Sequence, residues 1–303
     1  MQVLAPILIF VYNRPTHTRR MLDALEKAQL ANQSEIFIFS DGAKSAADIK
    51  TVNKVRSIIC EPRDFKKINI IEREKNYGLA NNIIAAVTDI VKEYGKVIVL
   101  EDDLEIAEVG LQYFNDALNL YRNEDKVMEI SGYMYPAEGV ETLPESFFFR
   151  VANSWGWATW DRAWNTFEKD IDKLTANFTK EDIKNFSIDH SENFWKQVQQ
   201  FKAGKINSWA IRWYLSIFNQ QGLVLYPKQS MIQNIGTDGS GTHSDADLAY
   251  QVTLATTPVR KFPSIIEENP EAYKVIQYFY KNRKGNLIER GLRFAKKMWN
   301  KRK

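Results

Sequence analysis

The chain has 303 residues, 44% of them hydrophobic and 26% charged, a composition in the ordinary globular range and long enough to bury a sizeable core. A single cysteine, Cys60, excludes an internal disulfide framework, and no apolar run approaches the roughly 18–20 residues that span a bilayer. The net charge of +3 hides an asymmetry: residues 281–303 hold ten Lys or Arg against one acid, a local +9 that leaves −6 on residues 1–280.

The first hundred residues alternate between strand and helix patterns. Met1 leads within a few residues into a continuous apolar run at 6–12 (PILIFVY), which suits a strand covered on both faces and does not read as a secretory leader. A cytoplasmic protein is therefore expected. Pro15 opens a helix over 16–30, with Met21, Leu22 and Leu25 on one face. A second strand at 35–39 ends in the turn signal Ser40-Asp41-Gly42. A helix over 46–59 follows, in which Cys60 is expected as a buried, inert thiol. Then come a strand at 68–71, a helix at 79–94 and a strand at 96–100, followed at once by Glu101-Asp102-Asp103. Beyond these the pattern predicts a helix over 109–121, a strand over 127–131 and an aromatic, turn-rich stretch from 133 to 164. Mostly helical sequence over 181–221, a short strand at 223–226 and a glycine-rich loop at 236–243 complete the body.

This βαβαβαβ order predicts a mostly parallel sheet flanked by helices, and ligands of such sheets bind beyond the carboxyl ends of the strands. Asn13-Arg14, Ser40-Asp41-Gly42 and Glu101-Asp102-Asp103 all fall at those ends, so they should converge in space. Adjacent carboxylates after a buried strand repel one another and are relieved by a cation or by protonation. An oxygen-rich, cysteine-free position suits Mn²⁺ or Mg²⁺, which in turn bridge phosphate oxygens. The same acids could instead sit favourably at the start of the next helix. An arginine at a strand end can pair with phosphate, and a carboxylate such as Asp41 can accept from a base N–H. As a surface Arg and a turn Asp, both also have ordinary readings. Asn76-Tyr77-Gly78-Leu79 can bring backbone close to a ligand, or simply begin a helix.

Residues 7–130 resemble the nucleotide-binding half of GT-A-fold glycosyltransferases. Within them the run VLEDDLEIAEVGLQYF at 99–114 is similar to the β-1,2-N-acetylglucosaminyltransferase I group. Asn76-Tyr77-Gly78, with Asn81 and Asn82, resembles the N-x-G…N segment of bacterial family 2 enzymes. The stretch SWGWATWDRAW at 154–164 is similar to a segment of bacterial sugar transferases for capsule or surface polysaccharide. The resemblance implies a Rossmann-like GT-A fold, with a nucleotide-sugar-binding half at 1–104 and a mixed acceptor-binding half at 105–265. It implies an inverting sugar transfer from a nucleotide-sugar, a UDP-sugar, to a glycan or lipid-linked glycan acceptor.

By the same resemblance Arg14 and Asp41 hold the nucleotide, Asp102 the ribose, and Asp103 binds the metal directly. Tyr12, Asn76, Gly78, Leu79, Asn82 and Glu101 complete the expected nucleotide-sugar contacts, and Gly156, Trp157 and Trp209 the expected sugar or acceptor contacts. The related enzymes carry their catalytic Asp in a segment that aligns with 208–213 (SWAIRW), where this chain has Ala210. Asp161 is the replacement candidate for the base, and Arg212 a candidate for neutralising the leaving diphosphate. The loop at 236–243 is suited to closing over a donor, with His243 reaching the metal or a phosphate.

Residues 266–303 form the tail, where Ile288, Leu292, Ala295 and Trp299 share one helical stripe and Lys and Arg the other face. That pattern predicts an interfacial helix on an anionic membrane, hence a peripheral protein at the inner face of the cell membrane. No nucleic-acid module accompanies the basic tail, so no nucleic-acid partner is expected. Two rival readings are a catalytically weak nucleotide-sugar-binding protein, which Ala210 suggests, and a sugar-nucleotide nucleotidyltransferase. The second would need a glycine-rich loop after the first strand, where this chain has Asn13-Arg14-Pro15-Thr16.

Overall fold

The computed structural model describes residues 3–236 and 248–283. The expected alternation is present: β1 (Ile7–Val11), α1 (Pro15–Lys27), β2 (Glu35–Ser40), α2 (Ile49–Ile59), β3 (Lys67–Glu72), α3 (Leu79–Tyr94) and β4 (Lys96–Glu101). Every residue of β1 is buried, as a continuous apolar run requires when both faces of a sheet are covered. Each flanking helix buries one stripe, such as Met21, Leu22 and Leu25 on α1 and Val52, Val55 and Ile59 on α2. Local sequence sets the helix ends. Pro15 opens α1, and α3 runs between Gly78 and Gly95, both in left-handed conformations that glycine adopts without strain. Cys60 departs from expectation: it caps the end of α2 and is exposed.

The remaining elements are β5 (Leu104–Ile106), α4 (Gly110–Leu120), β6 (Val127–Ser131), β7 (Ser146–Phe149), β8 (Trp157–Trp160), α5 (Asp161–Trp164) and α6 (Ile171–Thr175). After them come α7 (Lys180–Phe186), α8 (Phe194–Lys202), α9 (Trp209–Asn219), β9 (Leu223–Pro227), β10 (Ile232–Asn234) and α10 (Pro270–Asn282). Eight strands form one mixed sheet in the order β3-β2-β1-β4-β8-β6-β9-β7. The first four are parallel, whereas β8 lies antiparallel between β4 and β6, with Val99 opposite Trp157 and Lys96 opposite Trp160. The aromatic, turn-rich stretch thus contributes β7 and β8 to the sheet itself.

A second, two-stranded sheet pairs β10 antiparallel with β5. It lies against the carboxyl end of the main sheet, where Gly156 (φ 65°) leaves room for it: a Cβ there would come within 2.5 Å of Ile232. Trp157, Trp164, Trp209 and Trp213 cluster, with ring centroids 5.0–6.3 Å apart and Trp157 stacked on Trp209, and join β8 to α5 and α9.

Residues 270–282, grouped with the tail on sequence grounds, form the helix α10, which packs on the body through Ala272, Ile276, Phe279 and Tyr280. The amphipathic stripe at 288–299 lies outside the described residues. Among the described residues no helix is long and apolar enough to cross a membrane.

Candidate functional site

The carboxyl ends of β1, β2 and β4 bring three of the predicted clusters together. The Asp102 carboxylate accepts the backbone N–H of Tyr12 at 3.3 Å, and Arg14 Nη1 donates to Asp103 Oδ2 at 2.7 Å. Side-chain exposures of 15% for Arg14 and 19% for Asp103 make this ion pair partly buried. Arg14 Nη2 also lies 2.9 Å from His17 Nε2 and 3.5 Å from the carbonyl of Gly236. Ile235 N–H donates to the Asp103 carbonyl at 2.8 Å, so the chain leaving β10 crosses directly over the acid cluster. At Gly236 it comes so close that a Cβ would lie 2.1 Å from Asp103 Oδ2.

The electrostatics of this end are unbalanced. Among the described residues Arg14 is the guanidinium that ion-pairs with these three consecutive carboxylates, at Asp103. Burial, with the nearby Asp103 and Asp102 charges, pushes Glu101 well above the usual carboxylate range. Burial and the Asp103 charge push Asp102 up to about 7, against the opposing pull of Arg14. Such a cluster accommodates a divalent cation because the cation removes the repulsion that otherwise raises these pKa values. Among the described residues no group of three or more His, Cys, Asp or Glu side chains is arranged to hold an ion.

Asp41 has a different job from the one expected. Its Oδ1 accepts the N–H groups of Gly42 (2.9 Å) and Tyr77 (2.8 Å), and its Oδ2 accepts from Gly78 N (2.9 Å) and Asn76 Nδ2 (3.1 Å). Those four donors fill the lone-pair positions of a carboxylate, so Asp41 builds the 76–78 loop and is not left open for a base N–H. The loop in turn presents Tyr77 (39% exposed) and Leu79 (48% exposed) at the start of α3. Asn82 is buried and accepts from the Arg73 guanidinium, which sits 4.8 Å from the Tyr77 ring. Arg73 was not singled out in the sequence, and Tyr77 only as part of the 76–79 turn. An Arg one residue past β3, followed four residues later by an aromatic, was the available signal.

Four other predicted residues, Asp161, Arg212, Trp157 and Trp209, are committed to the fold in other ways. Asp161 donates its backbone N–H to Gly95 and follows Trp160, which pairs with Lys96. It therefore lies at the amino end of β4, roughly 17–20 Å of strand away from Glu101 at about 3.3 Å per residue. Arg212 is buried and donates to the Ser208 carbonyl (3.0 Å) and to Asn207 Oδ1 (3.1 Å), with its guanidinium over Phe201. It closes the start of α9. Trp157 and Trp209 are 0% and 4% exposed and stack on each other, so neither offers a ring face to a sugar. His243 and the loop from 237 to 247 lie outside the described residues.

Glu129 on β6 was missed, although it is the acid in an otherwise apolar strand. It is fully buried and accepts from Trp213 Nε1 at 2.6 Å and from Asn153 N–H at 2.8 Å. These two bonds fasten α9 and the 151–156 loop to the sheet. Between loop and helix is a small pocket of about 120 Å³, lined in part by Asn153, Ser154, Trp209 and Ala210. Trp157 follows this loop and pairs with Val99, so the pocket belongs to the same end of the sheet as the acid cluster.

A sequence model of the GNT-I family matches residues 1–168, more than half of the chain. Among solved structures the chain is similar to a mannosyltransferase, PcManGT from Pyrobaculum calidifontis, in complex with GDP-Man and Mn²⁺ (11% identity, 72% of this chain and 74% of that one, TM-score 0.39). It is also similar to S. aureus TarS 1-349 (12% identity, 75% and 59%, TM-score 0.40) and to mouse xyloside xylosyltransferase 1 (11% identity, 72% and 82%, TM-score 0.36).

Glu129 also generates a pH prediction. Burial pushes its carboxyl up to about 8 from an unfolded value near 4.5. Between those values the folded chain holds one proton more than the unfolded chain, so rising pH favours unfolding. Stability is expected to fall across this window by an amount on the order of a few kcal/mol from this group, and Glu129→Gln should lack that component. Urea melts of both proteins at pH 5, 6.5 and 8 read it: the gap between them should close or reverse as pH rises.

Proposed function

This chain belongs to the GNT-I family and is a glycosyltransferase with the GT-A arrangement of sheet and helices, and we propose that it transfers a hexose from a UDP-sugar with the aid of Mn²⁺ or Mg²⁺. The observation that carries the proposal is the acid cluster at the end of β4, with Asp103 against Arg14 and under Gly236. The acceptor is a glycan of bacterial surface or capsular polysaccharide, and transfer proceeds with inversion.

In this reading Asp102, positioned by Tyr12 N–H, receives the ribose hydroxyls, and the 76–78 loop built by Asp41 faces the nucleotide. Arg14 exchanges its bond to Asp103 for the diphosphate oxygens, which keeps the guanidinium paired throughout. A divalent cation held by Asp103 supplies charge neutralisation for the leaving diphosphate. The chain crossing from β10 at Gly236 shields the reacting end from water. Ala210 lines the small pocket where the family's segment carries an acid, and this favours a second reading: a nucleotide-sugar-binding protein of weak activity.

The two readings separate in hydrolysis and transfer assays across a panel of nucleotide-sugars with Mn²⁺. Release of sugar by the wild type, reduced by roughly 10²-fold or more in Asp103→Ala, is the expected result. Tight cation-dependent binding of UDP with no turnover of any donor would instead favour the weak binder. The basic tail is proposed to hold the enzyme on an anionic membrane, near a lipid-linked acceptor. Deletion of residues 284–303 should then abolish sedimentation with phosphatidylserine vesicles and leave hydrolysis of a soluble donor intact; unchanged sedimentation would remove the tail from the account.

A further inference from the structure

One cleft among the described residues lies away from the acid cluster. It has a volume of about 670 Å³, within the 300–1,000 Å³ range of small-molecule and cofactor sites. Leu223 at the start of β9 and Arg150 just after β7 form part of its wall. Because β9 is parallel to β6, with Val127 opposite Leu223, this cleft opens at the amino ends of the parallel strands. Strand length and the three strand spacings from β4 to β9 put it on the order of 20 Å from Glu101–Asp103.

Its wall chemistry is selective. Asn177, Asn185, Asn219 and Gln221 line it, residues whose amides carry donors and an acceptor in one plane, with one Asn219 donor spent on the Leu174 carbonyl. Phe178 adds a half-buried ring, supported by stacking on Trp195 and Phe218. The charged groups of the wall are already committed. Arg150 is closed onto Glu268, Lys173 reaches Glu168 at 3.7 Å, and Asp182 caps α7 through Thr179. A strongly charged ligand would have to compete with these pairs, and a purely apolar one would strip water from the amides without replacing it. An uncharged ligand rich in hydroxyls, with C–H faces for the ring, matches all three features.

A second observation comes from the end of α9. The Gln221 N–H donates to the Phe218 carbonyl and the Gly222 N–H to the Ile217 carbonyl, the paired bonds of a Schellman turn. The residue at the left-handed position of such a turn is usually glycine, yet here it is Gln221, at φ 52°. The chain accepts a strained backbone at a position where the glutamine amide lines the cleft.

We propose that this cleft is a second carbohydrate site, which binds a neutral stretch of oligosaccharide away from the catalytic centre. It rests on the glycan-acceptor reading above and gives the growing chain a distal foothold. The probes are neutral hexaoses of glucose, mannose, galactose and N-acetylglucosamine, with hexagalacturonic acid as charged comparator, titrated calorimetrically into the full chain. At least one neutral hexaose should bind, and the acidic one should not. Gln221→Gly and Asn185→Ala should each weaken binding fivefold or more with donor hydrolysis unchanged. The Tm of Gln221→Gly should stay level or rise, since glycine relieves the turn. Asp103→Ala should bind the hexaose as the wild type does. The proposal is overturned if no neutral hexaose binds, if hexagalacturonate binds equally well, or if binding survives both cleft substitutions and is lost in Asp103→Ala. Donor hydrolysis is scored separately, so failure of the cleft leaves the catalytic reading to its own assay.

Discussion

Three successive carboxylates at the end of a buried parallel strand, ion-paired among the described residues with Arg14, set the terms for the rest of this protein. In water Glu101, Asp102 and Asp103 would be unremarkable. At the end of β4 their solvation is cut off and their mutual repulsion raises the pKa of the first two. The fold then has to supply positive charge, admit it from solution, or leave protons on the acids. Arg14 supplies part of it, from the first residue past the Tyr12-Asn13 turn of the neighbouring strand. The remainder is what the proposed function assigns to a cation bound together with a diphosphate.

The architecture serves that unbalanced end. The parallel strands place Tyr12, Arg14 and the Asp41-built loop beside the acids, and the β5–β10 sheet brings Gly236 over them. The second half of the chain then has to be fastened to the same end. The stacked tryptophans and Glu129 do this, tying α9 and the 151–156 loop to β6 and β8. An acid that stays buried to perform this task lowers stability as pH rises from about 4.5 to about 8, and the two hydrogen bonds it accepts are what offset part of its desolvation.

The first half was legible in the sequence for a simple reason. β1 and β4 are continuous apolar runs ending in polar clusters, so strand direction and the carboxyl end are read together. The Glu101-Asp102-Asp103 cluster, Arg14 and the 76–79 turn needed only that rule. The second half obeys no such rule. β7 and β8 are four residues long and aromatic, and each pairs with a strand far away in sequence. The direction of β8 cannot be read from WATW, and direction decides everything for its neighbours. Antiparallel pairing with β4 carries Gly156 to the ligand end and Asp161 to the opposite one. Trp157 looked like a stacking platform because sequence does not say which tryptophan is covered by another. Glu129 carried a visible signal, an acid inside an apolar strand, but its partners Asn153 and Trp213 lie 24 and 84 residues away.

The central claim is that the charge imbalance at β4 makes nucleotide binding depend on a cation through Asp103. Calorimetric titration of UDP into the wild type and Asp103→Asn, each with Mn²⁺ and with EDTA, tests it most directly. The account predicts that Mn²⁺ tightens UDP binding to the wild type by tenfold or more, and that the asparagine variant loses this difference. Equal UDP affinity in Mn²⁺ and EDTA for the wild type, or an undiminished Mn²⁺ effect in Asp103→Asn, would contradict it.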